Sequence, residues 1–139
     1  MRITLESDYA LRIITALAEQ SEVVDAKTLS ELTSVTPRFT LKILNKLVLG
    51  GLINSYKGVK GGYKLKKEAD AITLKSVIEL IDGPIVIARC LEHNESCTMI
   101  SDKSACVYHH IFESISLDVS KRLSNITIKD ILSRNFSVV

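Results

Sequence analysis

The 139-residue chain lacks any apolar run long enough to cross a bilayer, and its first residues lack the charged-then-apolar layout of a secretion signal. It has only three cysteines, an odd number that argues against a closed disulfide framework. No nucleophile elbow, phosphate-binding loop or carboxylate pair in a glycine-bounded turn is present. These absences predict a cytoplasmic protein with reduced thiols that is not an enzyme and has no membrane partner.

Acidic residues are missing from one stretch, Thr36 to Lys67, which carries eight of the eighteen basic residues. The rest of the chain carries ten basic and sixteen acidic residues, a net charge of −6, whereas the whole chain has +2. Segregation of charge on this scale is typical of a protein that binds a polyanion such as nucleic acid. A basic face that is merely solvated and balances an acidic one would give the same counts.

Apolar residues at helical spacing predict two helices before the basic stretch. The first runs from Asp8 to Gln20. The second is capped by Asp25 and turns Leu29 and Leu32 inward. With 46% hydrophobic residues, the chain can form one domain, or one small domain plus an oligomerisation element.

A third helix is predicted from Pro37 to about Leu49, because Thr36 is a good N-cap and proline suits the first helical position. Gly50-Gly51 ends this helix. Its apolar face should be buried and consists of Phe39, Ile43, Leu44, Leu47 and Val48.

A β-hairpin is predicted next, with strands Leu52 to Tyr56 and Tyr63 to Lys66 joined by a glycine-rich turn. Two helices separated by a tight turn and followed by a basic hairpin indicate a winged helix-turn-helix domain, here residues 1–82. The third helix would enter the major groove of double-stranded DNA, and the hairpin would contact the backbone or the minor groove. Arg38 is the best candidate for a base contact. The predicted DNA-binding residues are Thr36, Arg38, Phe39, Thr40, Lys42, Lys46, Lys57, Gly58 and Lys60.

The second half predicts a helix capped by Thr73, which stops at Asp82-Gly83-Pro84, and then an irregular loop over residues 83–106. A long helix follows from about Ser104 to Leu123, and a short one from Thr127 to Ser133. The wide apolar stripe of the long helix favours pairing with a second copy, so residues 104–139 are expected to form a dimerisation element. The alternative is that the stripe packs on its own domain. The fold class is thus mainly α with a small β-hairpin, a winged helix-turn-helix domain plus a long dimerisation helix.

The three cysteines, Cys90, Cys97 and Cys106, all lie near the long helix, and His109 follows one helical turn after the last. Thiolates are strong ligands for iron–sulfur clusters and for zinc, although gaps of six and eight residues do not match the close pairs of structural zinc sites. Unliganded thiols, a zinc-stabilised interaction module and a Cys106–His109 nucleophile–base pair are the alternatives. His93 and His110 are better explained as ordinary polar side chains.

Five short motifs resemble the BadM/Rrf-two family of winged-helix regulators. They are Ser7-Asp-Tyr-Ala-Leu-Arg12, Pro37-Arg-Phe39, Leu41-Lys-Ile-Leu44, Gly51-Leu-Ile53 and Gly58-Val-Lys-Gly-Gly-Tyr63-Lys-Leu65. The Asp82-Gly-Pro84 stop and the late cysteine triplet are similar too. This resemblance implies a homodimeric bacterial transcription factor, joined through the long helix, that often carries an iron–sulfur cluster. If the protein is a dimer, its two DNA-binding units should meet a pseudo-palindromic operator.

The resemblance also implies two alternatives for a fourth ligand. His109 matches the Cys-x-x-His ending of IscR-like members, which hold a 2Fe-2S cluster. Asp8 matches the N-terminal carboxylate with which NsrR-like members reach across the dimer to a 4Fe-4S cluster, and the opening segment favours this second pattern. CymR-like members lack a cluster, so a cluster-free regulator that senses through thiols or a protein partner is a further alternative.

Overall fold

The computed structural model describes residues 2–93 and 95–134. Six α-helices and one hairpin form the described part of the chain, and three single-turn 3-10 helices lie between them. The predicted fold class, a mainly α winged helix-turn-helix protein with a small hairpin, is confirmed. The elements are α1 Leu5–Ala18, α2 Ala26–Thr33, α3 Pro37–Leu49, β1 Ile53–Tyr56, β2 Gly62–Leu65, α4 Leu74–Asp82, α5 Val107–Ser124 and α6 Ile128–Leu132.

Side-chain caps set the start of most of these helices. The Asp25 carboxylate accepts the Thr28 N–H at 2.8 Å, and Thr73 and Thr127 each form reciprocal capping boxes, as the sequence pattern predicts. Helix α1 begins at Leu5, three residues before the predicted start. Its N-cap is Thr4, whose hydroxyl accepts the Ser7 N–H at 3.2 Å.

The core lies between α1, α2, α3 and the hairpin, and α6 from the far end of the chain closes it. Ile13, Ile43 and Ile128 are fully buried in it together. The segment before α6 is held by backbone hydrogen bonds, Leu74 N–H to Ile126 O and Ile128 N–H to Ile72 O, both 2.9 Å long. The helical unit predicted for residues 1–82 therefore also packs against Ile128 from far along the chain.

The hairpin is antiparallel, with Ile53 opposite Leu65 and Tyr56 opposite Gly62. A further backbone bridge joins Val24, in the loop after α1, to Tyr63 through hydrogen bonds of 2.9 and 2.8 Å. Gly62 has a φ of +152°, and a Cβ there would lie 2.4 Å from the Val24 carbonyl oxygen. Only glycine allows this close approach, which fixes the wing against the helical core.

Three predictions about individual side chains were wrong. Leu32 is 57% exposed and Phe39 is 43% exposed, although both were expected to face the core. Thr40 is fully buried, because its position on α3 faces the Val35 carbonyl, 3.4 Å from its hydroxyl. The face of α3 that contacts the core is thus rotated toward Thr40 and away from Phe39, whose ring instead packs edge-on against Tyr9 at 6.0 Å.

Helix α5 packs against α4 of its own chain but buries only Ser116 among its residues. The Ser116 hydroxyl accepts the Ile87 N–H at 3.1 Å and so ties the cysteine-containing segment to the helix. The predicted apolar stripe is divided between two environments. Phe112, Val119 and Leu123 are half-buried, whereas the exposed members are Val107, Tyr108, Ile111 and Ile115.

Candidate nucleic-acid interface and thiol site

The exposed face of α3 carries a line of positively charged and amide side chains. Arg38, Lys42 and Asn45 are exposed and Lys46 is half-buried, while Ile43 and Leu47 on the other side are in the core. Pro37 and the Thr36 hydroxyl, 3.5 Å from the Phe39 nitrogen, start the helix. The first turn therefore projects Arg38 into solvent at the end of α3 that a recognition helix presents to base edges.

Two lysines of α3 form ion pairs with one carboxylate of α1. Lys46 Nζ lies 2.7 Å from Glu6 Oε1, and Lys42 Nζ lies 3.4 Å from Glu6 Oε2. The hydrogen bond from Lys46 lowers the pKa of Glu6 below its ordinary value, outweighing the opposing effect of partial burial. Glu6 is therefore an anion held against the face that carries the predicted DNA contacts.

The tip of the wing is fully solvent-accessible. Lys57, Gly58 and Lys60 are exposed, and Val59 between them makes no contact that shields it. Gly58 has a φ of +101°, a backbone conformation that favours glycine in the turn. This arrangement exposes two cations and an uncovered backbone to solvent.

The three thiols line one cavity of about 550 Å³ at the start of α5. Its walls are almost entirely apolar apart from the sulfurs, one lysine and one imidazole, and all three cysteines are half-buried and unpaired. The remaining lining residues are Met99, Ile100, Lys103, Val107, Tyr108, His109 and Phe112. Among residues 2–93 and 95–134, no three Cys, His, Asp or Glu side chains are drawn close enough to grip a single metal ion.

The imidazole of His109 enters this same cavity. Its Nδ1 is buried and has no hydrogen-bond partner in the described part of the chain, which is unusual for a buried polar atom. His110, in contrast, has its Nε2 in contact with the Ser104 carbonyl oxygen. Lys103 Nζ donates to the Cys90 carbonyl oxygen at 2.8 Å and so joins the two ends of the cysteine segment.

The thiol of Cys97 lies among hydrogen-bond donors and a cation. Backbone N–H groups of Met99 and then Ile100, together with the nearby Lys103 ammonium, lower the pKa of its thiol. A lowered pKa increases the thiolate fraction, and the thiolate is the form that binds metals and reacts with oxidants.

Asp8, the other predicted ligand, lies elsewhere in the chain. Its carboxylate is 2.7 Å from the guanidinium of Arg12, and it lines a separate cavity of about 510 Å³ between α1, α2 and α6. The two cavities share no lining residue. Within one chain the structure thus places His109 with the thiols and Asp8 apart from them.

The comparisons with known proteins agree with this fold. The sequence model of the Rrf2 family, described as an iron-dependent transcriptional regulator, matches residues 3–134. The chain belongs to this family. Rrf2 proteins are DNA-binding transcriptional regulators, so the prediction that this chain is not an enzyme is confirmed. No described helix of this Rrf2-family chain has the length and apolar character that spanning a membrane requires.

Individual relatives cover most of this Rrf2-family chain. The transcriptional regulator IscR of Yersinia pseudotuberculosis is 29% identical over 135 residues, which are 96% of this chain and 80% of that one. The solved structure of CymR, the global cysteine regulator of B. subtilis, superposes with a TM-score of 0.77 at 24% identity and covers 96% of this chain and 98% of its own. The structure of T. potens IscR gives a TM-score of 0.73 at 20% identity, covering 97% and 88%. These two structural likenesses show the shared fold.

The contacts of Glu6 and the bridge between Val24 and Tyr63 were missed by the sequence analysis. Glu6 lies 36 positions before Lys42, and no local spacing rule connects residues so far apart. The only available signal was charge. A carboxylate near a basic face is expected to form an ion pair, but charge alone does not identify its lysine partners.

Proposed function

We propose that this chain is a homodimeric regulator whose binding to a pseudo-palindromic duplex is controlled by an iron–sulfur cluster. One observation carries the proposal. Three thiols line one cavity together with His109, whose buried Nδ1 has no hydrogen-bond partner among the described residues, in a chain that also carries a basic winged helix-turn-helix. The cavity would then bind the cluster that senses the signal, and the basic face would bind the DNA.

The DNA-binding part of the proposal assigns different roles to the exposed cations. Arg38, at the first turn of α3, would contact a base edge, since guanidinium groups bind guanine through two hydrogen bonds. Lys42 and Lys46 farther along α3, and Lys57 and Lys60 on the wing, would contact phosphates. Thr36, Phe39 and Gly58 are exposed at the same face and remain candidate contacts, whereas the buried Thr40 supports the helix from within.

The residues around the thiol cavity fit a cluster. Thiolates bind iron well, the rest of the lining is mainly apolar, and the lowered pKa of Cys97 favours an anionic sulfur. Cys90, Cys97 and Cys106 would supply three ligands, and His109 Nδ1 would be the fourth, because within residues 2–93 and 95–134 it has no other partner. A bound cluster would supply a redox- and nitric-oxide-sensitive centre that ties these residues together. Asp8 of a second copy is the alternative fourth ligand, and this choice also distinguishes a 4Fe-4S from a 2Fe-2S cluster.

The dimer would form through α5, whose Val107, Tyr108, Ile111 and Ile115 are exposed along one side. Exposed apolar residues in one row mark an interaction surface. Because a two-fold dimer presents two recognition helices, we expect operator half-sites about one helical turn or a multiple apart.

The control of DNA binding would pass through the ends of the cysteine segment. Cys106 directly precedes α5, and the Ser116 hydroxyl binds the Ile87 N–H before Cys90. Drawing the thiols together would therefore shift the path between α4 and α5. Such a change alters DNA affinity only to the extent that it stabilises one arrangement of the two DNA-binding units over another.

The decisive experiment is purification without oxygen, followed by absorption spectra and counts of iron and acid-labile sulfide. We expect visible absorbance that Cys97→Ala abolishes while the protein stays folded and dimeric. Ser101→Ala in the same loop is the matched control and should keep the absorbance. Colourless wild-type protein without sulfide, or a fully coloured Cys97→Ala variant, would contradict the cluster assignment. Zinc without sulfide would favour the zinc-stabilised interaction module.

The fourth ligand is tested by His109→Ala, Asp8→Asn and the control His110→Ala. If His109 is the ligand, its replacement changes the spectrum and the iron content, while the other two variants retain the wild-type spectrum. A changed spectrum in Asp8→Asn alone would instead indicate the carboxylate of a second copy.

A second candidate function is a cluster-free Rrf2 regulator that senses oxidants through a thiol. The lowered pKa of Cys97, beside Lys103, favours it, because a thiolate is oxidised more readily than a thiol. Its signature is colourless anaerobic protein whose DNA affinity changes on mild oxidation and no longer changes in Cys97→Ala.

A further inference from the structure

We propose that Glu6 acts as an internal competitor for DNA phosphate. Its carboxylate occupies Lys42 and Lys46 of the recognition helix and thereby sets the strength and the salt dependence of DNA binding. The inference rests on the DNA-binding part of the proposed function and adds a residue that sets affinity without contacting a base.

The first argument is the geometry of the three groups. Each oxygen of the Glu6 carboxylate faces a different lysine, at 2.7 Å from Lys46 Nζ and 3.4 Å from Lys42 Nζ. Glu6 is only 22% exposed, whereas Lys42 is 54% and Lys46 38% exposed. The lysines thus remain open to a phosphate from solvent while the carboxylate lies behind them.

The second argument is that Glu6 is held in place by neighbours on another helix. Thr4, two residues earlier, caps α1, and its backbone N–H donates to Asp82 Oδ2 at 3.2 Å. The Thr4 hydroxyl donates to the other oxygen of the same carboxylate. Since Asp82 is the last residue of α4, these bonds anchor the start of α1 and so keep the backbone of Glu6 beside α3.

The third argument is electrostatic. Ion pairs between side chains exposed to this degree contribute little to folding stability, so stability alone does not explain the arrangement. For DNA binding, however, the carboxylate reduces the charge of the group from +2 to +1 at the position that a phosphate would approach. A lysine already paired with a carboxylate also releases fewer counterions when phosphate binds, which lowers the salt dependence of the affinity.

This mechanism predicts a distinctive pattern in Glu6→Gln. Removing the charge frees both lysines, so affinity rises for every duplex sequence alike, and the ratio of specific to non-specific binding stays unchanged. The plot of log affinity against log salt should become steeper by about one unit, the increment expected for one additional phosphate neutralised by a free cation.

The test uses the full chain and a fluorescein-labelled mixed-sequence duplex of about three helical turns, titrated between about 50 and 200 mM salt. Glu6→Gln should bind roughly three- to tenfold more tightly at the low-salt end and show the steeper slope. Asp70→Asn is the matched control, because it removes the same charge and also breaks a lysine ion pair, Asp70 with Lys129, away from α3. It should leave the slope at the wild-type value.

A double variant tests whether Glu6 acts through Lys46. Lys46→Gln should flatten the slope more in the Glu6→Gln background than in the wild type, where the lysine is already paired. Circular dichroism confirms that each variant is folded. A folded Glu6→Gln protein with unchanged or weaker DNA binding and an unchanged salt slope overturns the inference. In that case, salt-dependent DNA binding by the wild type leaves the proposed function standing. A wild-type protein without salt-dependent duplex binding overturns both.

Discussion

The two halves of this chain differ in how completely each buries its own apolar surface. The unit formed by α1 to α4, the wing and α6 encloses a core in which isoleucines and leucines from four helices and Val77 from α4 are buried. The cysteine segment and α5 bury Ser116 and Ile85 among their described residues and leave several large apolar side chains in solvent. The unit of α1 to α4, the wing and α6 is stabilised by its own contacts. The cysteine segment and α5 instead have surfaces that a partner or a ligand could cover. The difference separates a helical unit with a self-contained core from a segment whose apolar side chains are largely uncovered.

The largest expected effect is in the core of the first half. Leu44→Ala removes a fully buried side chain of α3 and should lower the free energy of unfolding by about 2–5 kcal/mol. The loss should not depend on protein concentration, because the contacts are within one chain. Urea unfolding at two protein concentrations checks both statements, and a concentration-dependent loss would contradict the self-contained core.

The next effect concerns the exposed side of α5. Ile115→Glu puts a charge into the row proposed as the dimer interface, where the side chain is 43% exposed in the isolated chain. We expect the dimer dissociation constant to rise at least about tenfold, with little change in helix content. Leu117→Glu is the control, since Leu117 is 64% exposed and lies on the opposite side of the helix. Sedimentation at several concentrations measures the result, and equal effects of both variants would argue against this interface.

A smaller effect is expected from single cations. Lys57→Ala on the wing should weaken binding to all duplex sequences and reduce the salt slope by about one unit. Lys121→Ala, an exposed lysine on α5, removes the same charge from the other half and should leave the slope unchanged. Anisotropy titrations over a salt series distinguish them, and equal slopes for Lys57→Ala and the wild type would remove the wing from the interface.

The smallest effect is the acid sensitivity of helix capping. Hydrogen bonds from the Thr28 N–H and then its hydroxyl hold the pKa of Asp25 below its ordinary value of 3.8. A lowered folded-state pKa means that this stabilisation is fully present above about 3.8 and is lost as the pH falls through the lower folded value. Asp25→Asn should therefore match the wild type near neutral pH and lose less stability on acidification.

Asp102→Asn serves as the counterpart in the cysteine segment. Its pKa is lowered by Ser104 in the same way, but it caps only a three-residue turn in an exposed region. Urea midpoints over an acidic pH series should show no effect of Asp102→Asn on global unfolding. A clear effect would mean that the cysteine segment is part of the cooperative core.

Many helices of the winged helix-turn-helix unit could be predicted from the sequence, because the residues that start them are close together in the chain. Asp25, Thr36 and Thr73 cap the predicted helices, since a cap depends on residues three positions apart. The site was less predictable. Phe39 and Thr40 are neighbours on α3, and their exposures are the reverse of what was expected from spacing, because the rotation of α3 is set by Val35 and Tyr9. Asp8 of a second copy stays a prediction from the family resemblance; within one chain, His109 lines the thiol cavity and Asp8 lines another.

The sequence by itself determined the N-caps of α2, α3, α4 and α6, the glycine-rich wing, the separation of charge and the proximity of three thiols to one helix. These features depend on backbone preferences and contacts between near neighbours. Tertiary structure alone decided that Glu6 reaches Lys42 and Lys46, that Val24 supports the wing and that Ile128 completes the core. Each of these contacts joins residues tens of positions apart, so it exists only once the packing of the helices brings them together.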